Sequence, residues 1–126
     1  MIQDKVVEKI KGQNLSWLER RSGVDLSTIK AWIQGQGASL FNSECVLQAL
    51  GYEYAVDDER TDDLQAMIGE LYKIRSVTMD TLVAKTGISK PSIWTTVTGE
   101  RSPTIERAEK IIKALGHTLT IRKAVR

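Results

Sequence analysis

The strongest constraint on this chain is that it is written twice. Shifting its 126 residues by 64 positions lays Ile10 on Ile74, Leu18 on Leu82, Gly23 on Gly87, Ile29 on Ile93 and Gly35 on Gly99. Ser22 then faces Thr86, Val24 faces Ile88, Thr28 faces Ser92 and Ile33 faces Val97. After a one-residue slip, Ala49-Leu50-Gly51 lies on Ala114-Leu115-Gly116. Identities are few, but they fall on turn glycines and on apolar positions at helical spacing. Such a chain is read as two very small units of one plan.

Each half reads as four short helices and a strand. In the first, helix one covers 2–12. Asn14 caps helix two (15–22), which ends at Gly23, and Asp25 caps helix three (26–34), which ends at Gly35. Asn42 or Ser43 caps helix four (43–50), and Gly51 stops it. Small polar side chains satisfy free N–H groups at helix starts, and glycine tolerates the left-handed exit. In the second half, Leu64, Met67, Ile68, Leu71 and Ile74 form the stripe of helix one. Thr78 caps helix two, and Ser89 caps helix three with Pro91 in its first turn. Ile105, Ala108, Ile111, Ile112 and Leu115 line helix four. The alternating segments 52–56 and 117–122 read as strands that pair with each other or with a partner chain. The halves are residues 1–56 and 64–126, joined by an acidic linker, 57–63.

Helices two and three form the informative pair. Each half has a glycine, an apolar residue next, another apolar residue at plus six and a glycine at plus twelve: Gly23, Val24, Ile29, Gly35, and Gly87, Ile88, Ile93, Gly99. The first glycine allows a sharp turn. The apolar residues seat helix three on the core, and its other side faces solvent or a DNA groove.

The run from Val83 to Ile93, then Thr-Gly-Glu-Arg-Ser-Pro-Thr (98–104) and Ile-Ile-Lys-Ala-Leu-Gly (111–116), resembles the lambda-repressor-like, Cro/Xre-type helix-turn-helix family. The ending Ala-Leu-Gly-His-Thr-Leu-Thr-Ile-Arg is similar to its HigA-type antitoxin branch. The resemblance covers about 66–122, and more loosely 3–55. Leu15 and Met79 stand where the family has Gln, and Glu19 and Val83 where it has a small residue. The resemblance implies a mainly α fold of two tandem lambda-repressor-like units, each four short helices followed by a short β-strand. It also implies major-groove binding by helix three. The matching positions are Leu26, Ser27, Thr28, Lys30, Ala31 and Gln34, and Lys90, Pro91, Ser92, Trp94, Thr95 and Thr98. Phosphate contacts would come from Asn14, Thr78, Arg101, Ser102 and Thr104.

The residue chemistry agrees in part. Lys90 can donate to guanine acceptors and Gln34 can read adenine, while Ser92 and Thr95 are adaptable. Neither recognition helix carries an arginine, so shape and backbone contacts gain weight. Charge separates the halves. The formal total is only +2, but residues 1–56 hold six basic and six acidic residues, 57–63 one and five, and 64–126 eleven and five. The partition is 0, −4 and +6, which marks the second half as the better DNA reader. Arg20 and Arg21 are either a solvated helix face or phosphate contacts.

Trp94 either meets DNA or packs against the other half; Trp32 belongs to the core, and Trp17 packs on helix one or the partner half. Cys45 reads as a reduced helix residue and His117 as a strand residue without chemistry. A single cysteine and a single histidine leave no multi-cysteine zinc site and little catalytic inventory. No nucleotide-binding, nucleophile-elbow or metalloprotease motif occurs. The expected protein is therefore a non-enzymatic, cytoplasmic, bacterial or phage-type regulator. It needs no cofactor or metal and occupies an operator in double-stranded DNA as a covalent pseudo-dimer. The competing expectation is an antitoxin or similar interaction module with a toxin-like protein partner, or a homodimer. No stretch reaches the roughly 18 apolar residues of a membrane span.

Overall fold

A computed structural model describes residues 1–74 and 76–125. Among these residues the chain is mainly helical, with eight helices and a three-stranded sheet. Among the described residues, no helix is long and apolar enough to cross a membrane.

Helix α1 (Ile2–Ile10) buries Ile2, Val6 and Ile10, one side chain per turn. Helix α2 (Leu15–Ser22) begins where Asn14 accepts the Trp17 N–H, and it ends at Gly23 with φ +77°. Helix α3 (Leu26–Ile33) buries Ile29 and Trp32. Its expected cap is only partly right. Asp25 holds the cap position but makes no side-chain bond there; Glu19 reaches across from α2 instead and accepts the Leu26 N–H at 2.7 Å.

Helix α4 (Leu40–Ala49) starts three residues earlier than expected, capped by Ser39 rather than by Asn42 or Ser43. The reason is tertiary. Leu40 is in the core, and its N–H donates to the Pro103 carbonyl at 2.8 Å. Ser43 serves the interior instead. Its hydroxyl donates to the Leu40 carbonyl at 2.7 Å, so the buried Tyr54 hydroxyl, 2.8 Å away, donates to Ser43.

Strand β1 (Tyr52–Val56) turns through Asp57 and Asp58, both at positive φ, into β2 (Glu59–Thr61). The run read as a linker thus carries a hairpin. Asp63 then caps helix α5 (Leu64–Lys73) by accepting the Ala66 N–H. Leu64 and Ile68 are buried, but Ile74 lies past the helix end and is 81% exposed, off the expected stripe. Helix α6 (Met79–Thr86) is capped by Thr78 and α7 (Lys90–Thr98) ends at Gly99 with φ +82°. Thr104 caps α8 (Ile105–Ala114), which buries Ile105, Ala108, Ile111 and Ile112. Strand β3 (Leu119–Lys123) begins two residues later than expected.

The sheet order is β2-β1-β3, antiparallel throughout. The two expected strands therefore pair with each other, from Tyr52 opposite Lys123 to Val56 opposite Leu119. His117 precedes β3 and is not idle: its Nδ1 lies 2.5 Å from Asp57 Oδ2, while Asp57 Oδ1 accepts the Thr118 N–H at 2.9 Å. Arg122 pairs with Asp58. The two acids of the hairpin turn are thus tied to the end of the chain.

A second junction joins the capping ends of α4 and α8. Ser39 and Thr104 form an antiparallel bridge, in which the Leu40 N–H reaches Pro103 and the Ile105 N–H reaches Ala38 at 2.9 Å. The core runs through both junctions, from Ile2, Leu18 and Leu47 across Tyr54 to Leu64, Leu82, Ile93 and Ile111.

Candidate nucleic-acid interface

The turn between α6 and α7 is built by local chemistry. Thr86 donates to the Leu82 carbonyl at 2.7 Å and accepts the Ile88 N–H at 3.1 Å. Gly87 takes the left-handed conformation that the turn needs, at φ +71°. Ser22, Leu18, Val24 and Gly23 reproduce the same two bonds and the same glycine between α2 and α3. In each case the turn sends the next helix across the core with an apolar residue, Ile29 or Ile93, pointing inward.

Helix α7 therefore has two sides. Ile93 and Thr96 are buried, while Lys90, Pro91, Trp94 and Thr98 are exposed and Ser92 and Thr95 lie half-buried between. Trp94 is 52% exposed: it faces solvent rather than packing on the other half. The hydroxyl of Thr95 donates to the Ser92 carbonyl at 3.0 Å and that of Thr98 to the Trp94 carbonyl at 2.9 Å. Their oxygens remain acceptors only. Ser89 donates to Ser92 Oγ at 2.9 Å, which leaves the Ser92 hydroxyl hydrogen available.

The loop after α7 is pinned on both sides. The Gln65 side-chain amide donates to the Arg101 carbonyl at 2.6 Å and to the Thr96 carbonyl at 3.1 Å. Ser102 Oγ accepts the Phe41 N–H at 3.1 Å, tying the loop to α4. With its backbone held, this loop brings Arg101 to line, with Pro91, Ser92 and Thr95, an open cleft of about 710 Å³ that Glu100 and Arg107 also line. A second cleft runs from Thr86–Ser89 to Arg107 and Lys110. Lys90, Arg101 and Arg107 are exposed and have no carboxylate partner among the described residues. Lys110 pairs with Glu106 at 3.4 Å.

Arg107 and Lys110 were not among the residues expected here. Their signal was present: they sit one turn apart, off the buried stripe of Ile105, Ala108, Ile111 and Ile112, just after the Thr104 cap. Thr78 and Thr104 each spend an acceptor on their own helix, with bonds of 3.2 Å from Thr81 N–H and 3.3 Å from Arg107 N–H. The cluster as a whole offers cations and N–H and O–H donors to an anion, with an aromatic side chain beside them.

The corresponding residues of the first half are less concentrated. Ser27, Lys30 and Gln34 are exposed on α3, and Thr28 and Leu26 are half-buried. Arg20 and Arg21 lie apart, in a shallow cleft with Ser22, Cys45 and Gln48 on the α4 side. Trp17 is more open than the expected packing position. It is 37% exposed, with the Arg21 guanidinium 5.6 Å from its ring centre. Burial pushes the Cys45 thiol up from its ordinary value, with the Glu44 carboxylate adding to the effect. Such a thiol is poor in thiolate. Groups of three or more potential metal ligands are absent among the described residues.

No protein-family model, curated protein or solved structure matches the chain.

Proposed function

We propose that this chain is a sequence-specific, double-stranded-DNA-binding transcription regulator, a repressor by operator occupancy, built from two tandem helix-turn-helix units. The observation that carries this reading is the exposed side of α7 with its flanking loop. Lys90 and Trp94 are exposed on α7, and Ser92 of the same helix lines one cleft with Arg101 and Arg107. Donors and cations suit phosphates and guanine edges, and Trp94 suits a thymine methyl.

The pairing pattern supports the covalent pseudo-dimer. Residues 39 and 104 bridge each other, and residues 55 and 120 stand opposite in the sheet; both pairs differ by 65. Antiparallel pairs of this kind map onto themselves when the two units are exchanged. A local two-fold axis through both junctions would relate α3 to α7. Operators with approximate two-fold symmetry have half-sites about one helical turn apart. Leu26 differs from Lys90, and Lys30 from Trp94, so the two units would engage the operator unequally.

Selection of bound duplexes from a random pool tests the reading, followed by binding of Lys90→Ala and Arg101→Ala to the selected site. One enriched motif is expected. Lys90→Ala should lose discrimination at one base pair, about 10-fold or more. Arg101→Ala should weaken all duplexes alike and flatten the salt slope by about one. Absence of any enriched motif, or parental binding by both variants, overturns it.

A further inference from the structure

We propose that Glu19 closes the recognition face of the first half to DNA, so that α7 alone reads base edges. This rests on the DNA-binding reading above and adds which half does the reading, and why.

The backbones of the two turns are built alike, with matching side-chain bonds from Ser22 and Thr86 and matching left-handed glycines. The difference between the faces therefore lies in their side chains. Where α6 has Val83, α2 has Glu19, and its carboxylate is held 2.7 Å from the Leu26 N–H at the start of α3. That carboxylate already occupies the positive end of α3 and fixes a negative charge there. A duplex approaching this helix end brings about one negative charge per 1.7 Å of axis. The start of α7 has no such guard: its Ser89 side chain makes no capping bond, and position 83 is apolar.

Four surrounding positions change in the same direction. Counting along the repeat, Lys90 corresponds to Leu26, Arg107 to Asn42 and Lys110 to Cys45. Arg101 corresponds to the neutral Gln36–Gly37 stretch. These four cations around α7 are matched by neutral residues around α3; Lys30, opposite Trp94, runs the other way, while Asp25 at the α3 cap, opposite Ser89, adds a second carboxylate beside Glu19.

The experiment compares the full-length parent with Glu19→Gln and with Glu19→Gln/Leu26→Lys on the selected operator. Gln keeps an acceptor for the Leu26 N–H, and a circular-dichroism melt checks that each variant is folded. The parent should protect bases in one half-site only. Glu19→Gln should bind about 3-fold tighter at low salt. The double variant should extend protection into the adjacent major groove and steepen the salt slope by about one. Equal protection of two half-sites by the parent overturns the proposal, as does unchanged affinity and footprint in both variants. If those results come with a Lys90→Ala variant that loses binding, the DNA reading stands and only the role of Glu19 fails. If the parent binds no duplex, both fall together.

Discussion

The carboxylate of Glu44 accepts the backbone N–H of Leu64 at 2.8 Å, so a side chain from α4 starts the first helix of the other half. The relationship is returned: the Glu109 carboxylate on α8 accepts the N–H of Ile2, the first residue of α1, at 3.3 Å. Residues 44 and 109 also differ by 65. Each half thus supplies an acceptor to a helix start in the other, which joins them more closely than the hairpin alone would.

Glu44 is nearly inaccessible, and burial pushes its carboxyl up to about 7, with Asp63 and Asp62 adding to the effect against the favourable Leu64 bond. A carboxyl raised in the folded state binds its proton more tightly there than in the unfolded chain. Its contribution is therefore full below the ordinary value of 4.5 and is lost as pH rises towards 7. The loss should be about 2 kcal/mol, after discounting for partial solvent screening. Glu44→Gln keeps an acceptor and cannot ionise. Its Tm should exceed the parent's by several degrees at pH 8 and match it near pH 4.5. A constant Tm difference across that range would exclude this account.

Gly69 marks a close approach of α5 to α7. A Cβ there would stand 2.8 Å from the Val97 carbonyl oxygen, a backbone atom that cannot step aside cheaply. Gly→Ala in an open helix interior stabilises by about 1 kcal/mol. Here the sign should reverse, with Gly69→Ala destabilising by about 1–3 kcal/mol in a urea melt. Because α7 carries the proposed reading side chains, the variant should also weaken DNA binding. A stabilised Gly69→Ala would show that the contact is slack.

The helices, the two turn glycines and the strand segments at 52–56 and near the end were legible because they rest on local signals: glycines, caps and period. What the sequence hid depended on partners far along the chain. The start of α4 is set by Pro103, the start of α3 by Glu19 and the use of Ser43 by Tyr54. The same holds for the candidate site. Lys90 to Thr98 could be placed from the turn spacing, but Arg107 comes from α8, and that it lines one cleft with Pro91, Ser92 and Thr95 of α7 is a tertiary fact.

Asp57 should govern acid stability at the hairpin. The His117 ring nitrogen and the Thr118 N–H hold its carboxyl below the ordinary value. A depressed folded value means that the stabilisation is present above the unfolded value and is lost as pH falls through the folded one. Asp57→Asn suits the positive φ of this position, so it removes the charge and keeps the turn. The variant should melt below the parent at pH 7, and the difference should shrink towards pH 2.5. A gap that persists at pH 2.5 would assign the loss to the turn itself.

Trp94 supplies the most direct readout of the proposed interface. Of the three tryptophans, Trp32 is buried and Trp17 sits under Arg21 on α2, leaving Trp94 as the exposed indole on α7. Its emission should shift and quench when an operator duplex is added, and Trp94→Phe should abolish most of that change. If Trp94 contacts a thymine methyl, the variant should bind about 3- to 10-fold more weakly, and replacing that thymine by uracil should cost the parent more than it costs the variant. Equal losses would place the indole on the backbone instead. An unchanged emission on saturation with DNA would remove α7 from the interface.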